Sequence, residues 1–312
     1  MSSKVLIVGG GAIGGFYGSL LAKAGAEVAV VCRSNYSTVK QHGYQIESYA
    51  LGKWQFMPGQ VLRYAADYQA QADYVILCSK VTADIDRVGL IRAAVTKQTA
   101  IVFIQNGVEI EQELQQAFPD NLLISGLAFI CCNRTAPDQI NHLAYGKLTL
   151  GSLSADHVGK TQHLRDLFLQ AGIECLVSDD IIASRWQKCV WNAPFNPLSV
   201  LSGGLATQAI LQNQEDFVRQ VMQEVCNIAQ ACGHPLPVDI IDTNIAQTRV
   251  MPPYKTSMLL DFTQGHAMET EAILGNTVRA AARQNVDCPY LKSLYALMLL
   301  RELQIRTNIP LA

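Results

Sequence analysis

The sequence predicts an α/β fold in which an N-terminal doubly wound parallel sheet is followed by an all-α domain. Three observations predict it: β-branched runs alternating with amphipathic stretches, a glycine-rich turn after the first run, and a change of period near Ser178-Asp179-Asp180. The runs 4–8, 27–31, 74–78 and 100–104 are short, apolar and bounded by turn residues, as buried strands are. Helices are expected over 13–24, 84–96 and 109–118. Such alternation implies a parallel sheet with helices on both faces. Segments 122–131, 139–143 and 147–150 look like further strands, with turns at Pro137-Asp138 and 144–146 closing hairpins. A helix over 157–171 and a last strand over 174–177 complete the first domain, residues 1–178. From 179 to 312 the period is helical, broken at Gly203-Gly204, Gly233-His234-Pro235 and Met251-Pro252-Pro253, which predicts a bundle.

Composition narrows the function classes. The 312 residues are 49% hydrophobic and 16% charged, enough for a substantial core. A formal charge of −2 and a pI of about 6.3 give no electrostatic reason for a nucleic-acid or membrane partner. No stretch reaches the roughly 18 apolar residues a membrane helix needs, and residues 1–15 lack the features of a signal peptide, so a cytoplasmic location is expected. The nine cysteines, with no C-x-x-C pair, read as reduced thiols. His42, His142, His157, His163, His234 and His266 are scattered, so no metal is expected. A homodimer is allowed, though nothing in the sequence decides it.

The first strand runs into Gly9-Gly10-Gly11-Ala12-Ile13-Gly14-Gly15, a G-x-G-x-x-G turn between strand and helix. This is the dinucleotide-binding fingerprint of a Rossmann-type domain. Gly9 permits the tight turn, Gly11 lets the backbone approach a pyrophosphate, and Gly14 lets helix and strand pack closely; Ala12 and Ile13 complete the candidate cofactor-binding set. The second strand ends Cys32-Arg33-Ser34, without the carboxylate an NAD site would place there. Arg33 offers a guanidinium fork suited to a 2′-phosphate, so NADP (NADPH) is the expected cofactor.

Other candidates lie at strand ends and in the helical half. Lys80 and Asn106 follow the strands at 74–78 and 100–104, at carboxyl ends where open α/β sheets bind ligands. Lys188, Asn192 and Asn196 are spaced four apart and share one helix face, amid Trp186, Val190, Trp191, Phe195 and Leu198. A polar row in such a helix is costly unless satisfied or used, and Pro194 would kink the helix beside it. Ser257 and Glu269 are twelve residues apart across Gln264-Gly265, so their proximity is not derivable. Plain alternatives stand beside these readings: a solvated Lys80, a turn at Asn106-Gly107, a snorkelling Lys188 and a solvated Glu269.

Taken in order, the G-x-G-A-I-G-G turn, Arg33, Lys80, Asn106-Gly107, K-x-x-x-N-x-x-x-N-P-L at 188–198, S-M-L-x-D at 257–261 and the acidic pair at 269 and 271 resemble the ketopantoate reductase (2-dehydropantoate 2-reductase) family, from residue 4 to about 305. The resemblance implies an oxidoreductase that reduces a small 2-oxo acid with NADPH, in that family 2-dehydropantoate to pantoate in pantothenate and coenzyme A biosynthesis. It implies that Lys188 is the catalytic proton donor, supported by Glu269. Asn106, Asn192 and Asn196 would orient substrate and nicotinamide, and Ser257 would hold the substrate carboxylate. Lys80 would lie near the cofactor, and Arg33 would read the 2′-phosphate. The chain departs from the family pattern at Met268-Glu269-Thr270-Glu271, at Tyr254 and near Ser202-Gly203-Gly204, which touches substrate choice more than reaction type. Two rivals remain: a β-hydroxyacid dehydrogenase and a non-catalytic NADP sensor.

Overall fold

The computed structural model describes residues 2–154 and 158–307. They form two compact units. The first takes the chain up to Ser79 together with Asp86–Gln105 and Glu111–Ile181; the second takes Lys80–Ile85, Asn106–Ile110 and the chain from Ile182 on.

The first unit is built on β1 (Lys4–Val8), α1 (Ala12–Lys23), β2 (Glu27–Val31), α2 (Tyr36–His42), β3 (Tyr44–Ser48), β4 (Gly52–Phe56), β5 (Gln60–Leu62), β6 (Tyr74–Leu77), α3 (Arg87–Ile91), β7 (Ala100–Ile104), α4 (Gln112–Ala117), β8 (Leu123–Ala136), β9 (Gln139–Ser152), α5 (Val158–Gln170) and β10 (Cys175–Val177). Its sheet has the order β4-β3-β9-β8-β7-β6-β1-β2-β5, with β10 added beside β9. From β5 through β2, β1, β6 and β7 to β8 every pair is parallel. The inner strands β1, β6 and β7 are almost wholly apolar because both faces are covered: Val5, Leu6, Ile7, Val75, Ile76 and Val102 have no exposed surface. Phe16, Tyr17, Leu20 and Leu21 of α1 pack into the same core.

Several expectations change. Segments 139–143 and 147–150 are one strand, β9, antiparallel to β8 across the turn at Pro137-Asp138. The 144–146 segment closes no hairpin; it is a bulge in which Tyr145 and Gly146 take left-handed backbones, φ 61 and 115, and shift the register. The helix expected over 84–96 contracts to α3 and a short 3₁₀ turn at Arg92–Ala94. The helix expected from 109 begins at Gln112, because Glu109 has a positive φ of 55. Position 157, expected to open a helix, lies outside the described residues. The sheet is also wider than expected, since α2, β3, β4 and β5 carry no long apolar run.

The second unit is helical: α6 (Ile181–Leu201), α7 (Thr207–Ala231), α8 (Ile240–Val250), α9 (Ser257–Thr263), a π-type turn (Glu271–Gly275), α10 (Asn276–Arg283) and α11 (Pro289–Thr307). α6 runs on through Pro194 and Pro197. Trp186, Val190, Phe195, Val221, Met222, Leu274 and Leu291 form its core. No helix of the described residues is long and apolar enough to cross a membrane. The nine cysteines are free thiols, and among the described residues no cluster of His, Cys, Asp and Glu could hold a metal ion.

Candidate active site

In the first unit, the turn after β1 is held from below. The Gly9 and Gly10 amides donate to Val31 O at 3.3 and 3.1 Å. The Gly10 carbonyl accepts from Asn35 Nδ2 at 2.9 Å and from the Tyr44 hydroxyl at 3.0 Å, both buried donors. Asn35 also donates to Pro137 O at 3.0 Å, so one side chain ties this turn, the end of β2 and the β8–β9 hairpin together. Burial pushes the Tyr44 hydroxyl well above its usual range and keeps it a neutral donor. A Cβ on Gly14 would lie 2.1 Å from Gly9 O, so no larger residue fits there. A Cβ on Gly11 would meet nothing within 4 Å: open space lies over the turn at the N-terminus of α1. A buried, braced turn with space above it and a twelve-residue helix behind it fits a dinucleotide pyrophosphate. Gly9, Gly11, Ala12 and Ile13 are half-buried at this turn, Gly14 is buried against Gly9 and Ile7, and Arg33 is exposed at the end of β2.

The strand ends carrying Lys80 and Asn106 are also fixed. Gln105 Nε2 donates to Ser79 O at 2.7 Å, and the buried Arg87 reaches Gln105 Oε1 at 3.3 Å and Glu113 at 2.7 Å.

In the second unit, the sequence candidates come together in one polar chain. Lys188 Nζ donates to Asn106 Oδ1 at 2.8 Å. Asn106 Nδ2 donates in turn to Glu269 Oε2 at 2.8 Å, and the Val81 amide to Glu269 Oε1 at 3.1 Å. Lys80 Nζ lies 2.6 Å from Asp261 Oδ2 and 4.0 Å from Glu269 Oε2. Glu269 is buried and so cannot be the solvated carboxylate of the plain alternative. Gly265, with φ 67, reverses the chain after α9 and brings Glu269 back.

Electrostatics separates the two lysines. Burial drives the Lys188 pKa down to about 8; Arg185, one turn away, pushes the same way, and Glu269 opposes. Lys80 is raised: burial disfavours its charge, but Glu269, Asp261 and the Asp261 hydrogen bond together outweigh it. Burial lifts Asp261 as well, beyond what Lys80 offsets. Lys80 therefore stays a fixed cation, while Lys188 sits where a proton donor works near neutral pH.

Asn192 and Asn196 are 7% and 2% exposed, and their amides make no hydrogen bond among the described residues. Two buried amides with unused donors and acceptors, one and two turns beyond Lys188, suit a polar ligand. Ser257 is half-buried at the start of α9. Its neighbour Thr256 bonds Ser199 at 2.6 Å, which ties α9 to α6 close to Asn196. Arg185 and the Val81 amide are not singled out by the sequence, and Asp261 enters there only as the last residue of S-M-L-x-D, without a role. The spacing of Asp261 from Ser257, one turn on, was the available signal.

The departures from the family pattern have local reasons. Gly203 and Gly204 end α6 with left-handed backbones, φ 78 and 112. The Tyr254 ring lies 6.4 Å from Trp191. Glu271 faces away toward Arg279 at 2.8 Å and Tyr295 at 2.5 Å.

Comparisons with known proteins identify the family. Residues 5–155 match the family model described as ketopantoate reductase PanE/ApbA, and residues 180–302 match its C-terminal counterpart. The chain is 54% identical to a crystal structure of 2-dehydropantoate 2-reductase from Methylococcus capsulatus, covering 99% of each chain with a TM-score of 0.92. It is 31% identical to the one from Geobacter metallireducens, covering 95% of this chain and 99% of that one, TM-score 0.89. A 2-dehydropantoate 2-reductase of Nostoc sp. is 33% identical over 94% of this chain and 93% of its own length. With the glycine turn, the lysine–asparagine–glutamate chain and these matches over both halves, this chain belongs to the ketopantoate reductase family.

Proposed function

We propose that this protein is the NADPH-dependent reductase of 2-dehydropantoate, giving pantoate, in the cytoplasm. The observation that carries the reading is the Lys188–Asn106–Glu269 hydrogen-bond chain, half-buried at Lys188 and Asn106 and buried at Glu269, in a protein half identical to an enzyme named for that reaction. Residues 1–178 serve as the NADP-binding half and 179–312 as the catalytic half.

NADPH, when bound, supplies the hydride. The protein does the rest. Lys188 Nζ, as ammonium, donates a hydrogen bond to the ketone oxygen and gives it a proton as negative charge develops there. Asn106 accepts a second N–H of Lys188, which fixes the direction of the remaining ones. Glu269, held by Asn106 and the Val81 amide, keeps negative charge near Lys188 and favours its ammonium form. Asn192 and Asn196 bond the substrate's hydroxyl and carbonyl groups, and Ser257 bonds its carboxylate. Arg33 pairs with the cofactor's 2′-phosphate. Lys80, locked to Asp261, offers a permanent cation near the cofactor.

The test is NADPH oxidation with a panel of small 2-oxo acids, beside NADP-linked oxidation of 3-hydroxy acids. 2-Dehydropantoate should give the highest kcat/KM. A different 2-oxo acid at the top would move the substrate assignment, with Tyr254 and Gly203 the first residues to examine; turnover of 3-hydroxy acids alone would overturn the reaction class.

A further inference from the structure

Beyond the carboxyl ends of β2 and β5 the first unit holds two cations against one aromatic ring, in the turn that Arg33 opens. The Arg63 guanidinium carbon lies 4.1 Å from the centroid of the Tyr36 ring, and Lys40 Nζ lies 5.4 Å from it while donating to the Tyr36 hydroxyl at 3.1 Å. The Tyr36 amide donates to Arg33 O at 3.4 Å, which keeps the two residues in one backbone turn. Strand register brings the same residues together. Val31 is paired with Leu62 in the parallel β2–β5 ladder, and the Cys32 amide donates to Leu62 O at 2.9 Å. Arg63 therefore leaves the end of β5 beside the residues that carry Arg33 out of β2. All three cations are exposed, and none forms an ion pair among the described residues. Arg63 and Lys40, held on one ring without a carboxylate, repel one another unless an anion joins them.

We propose that Arg63, preset by stacking on Tyr36, is a second guanidinium for the 2′-phosphate of NADPH, with Lys40 adding charge at the rim. The inference rests on the reading of Arg33 as a 2′-phosphate residue and extends it to a two-arginine clamp. A phosphate monoester carries about −1.5 to −2 at neutral pH and three acceptor oxygens, more than one guanidinium fork can satisfy. Stacking holds the Arg63 fork in one orientation before the ligand arrives, which reduces the rotamer entropy lost on binding. Discrimination against NADH then comes from two residues on neighbouring strands.

Binding of adenosine 2′,5′-bisphosphate and of 5′-AMP, measured by calorimetry without any turnover, separates the cases. The wild-type protein should prefer the bisphosphate. Arg63→Gln should weaken the bisphosphate about tenfold, the value of one lost charge-assisted bond, and leave 5′-AMP unchanged. Tyr36→Leu should give a smaller loss of the same kind. Arg33→Gln combined with Arg63→Gln should abolish the preference. If Arg63→Gln weakens both probes equally, Arg63 stacks on adenine and the proposal fails. If it changes neither while Arg33→Gln removes the preference, the clamp fails and Arg33 alone reads the phosphate. If neither variant alters the preference, both assignments fall.

Discussion

Replacing Lys188 by alanine tests the reaction and the electrostatics together. With a pKa near 8, the wild-type lysine at neutral pH is ammonium over amine by about ten to one. It is thus charged enough to donate yet acidic enough to release its proton. The sign follows directly: reduction needs the ammonium, so kcat/KM should be flat below this pKa and fall tenfold per pH unit above it. In Lys188→Ala the Asn106 carbonyl loses its donor, and the ketone oxygen loses its proton source. A positioned general acid is worth about 10²–10⁴-fold, and kcat should drop by that order. The alkaline limb near pH 8 should vanish with it, because the group that titrates there is gone. Lys188→Arg should restore charge but little rate, since a guanidinium does not readily give up a proton. The assay is the initial rate of NADPH oxidation over pH values about two units either side of that pKa, with NADPH binding followed by fluorescence as the control for folding. A Lys188→Ala enzyme with near-normal kcat, or with the alkaline limb intact, would refute the assignment and point to Lys80 or water as the donor.

Other outcomes follow from the same geometry. Glu269→Gln removes the carboxylate that holds the Lys188 pKa up, so the alkaline limb should move to lower pH; a limb that stays in place would disconnect the two residues. Arg33→Ala should weaken NADPH while sparing NADH, and equal losses in the two dissociation constants would exclude a role at the 2′-phosphate. Ser257→Ala should raise KM for the 2-oxo acid about tenfold, the cost of one bond to a charged group, with NADPH binding unchanged. Gly14→Ala puts a Cβ 2.1 Å from Gly9 O and should cost about 1–3 kcal/mol, read as a lower Tm and weaker binding of both nicotinamide cofactors.

What the sequence revealed follows from where its residues are buried. β1, β2 and β7 stood out because both faces are covered, which forces uninterrupted apolar runs. β3 and β4 did not: Gln45, Glu47, Lys53 and Gln55 face outward, and such five-residue, half-polar strands resemble loops. The 144–146 segment misled because a glycine after Ala144-Tyr145 reads as a turn, whereas the long ladder to β8 absorbs it as a bulge. Within the site, helical spacing put Lys188, Asn192 and Asn196 on one face, and the resemblance alone gave them roles. Glu269 was not, since the reversal at Gly265 is a tertiary event. The bracing of Gly10 by Asn35 and Tyr44 left no pattern either, because a buried donor aimed at a backbone carbonyl leaves no periodic trace.

The two short excursions of the first half that cluster with the helices, Lys80–Ile85 and Asn106–Ile110, matter for anyone who recombines these enzymes. A crossover placed at the obvious seam near residue 180 would import a foreign Glu269 and Lys188 against resident Asn106 and Lys80 side chains. The bonds that join them would then be matched only by chance. A chimera that keeps its chemistry should inherit three pieces of chain together, the two hairpin-sized inserts and the helical half, as a single functional cassette. Mutational covariation in a library of such hybrids should cross the seam at positions 80, 106, 188, 261 and 269, and at the Glu109–Arg283 ion pair.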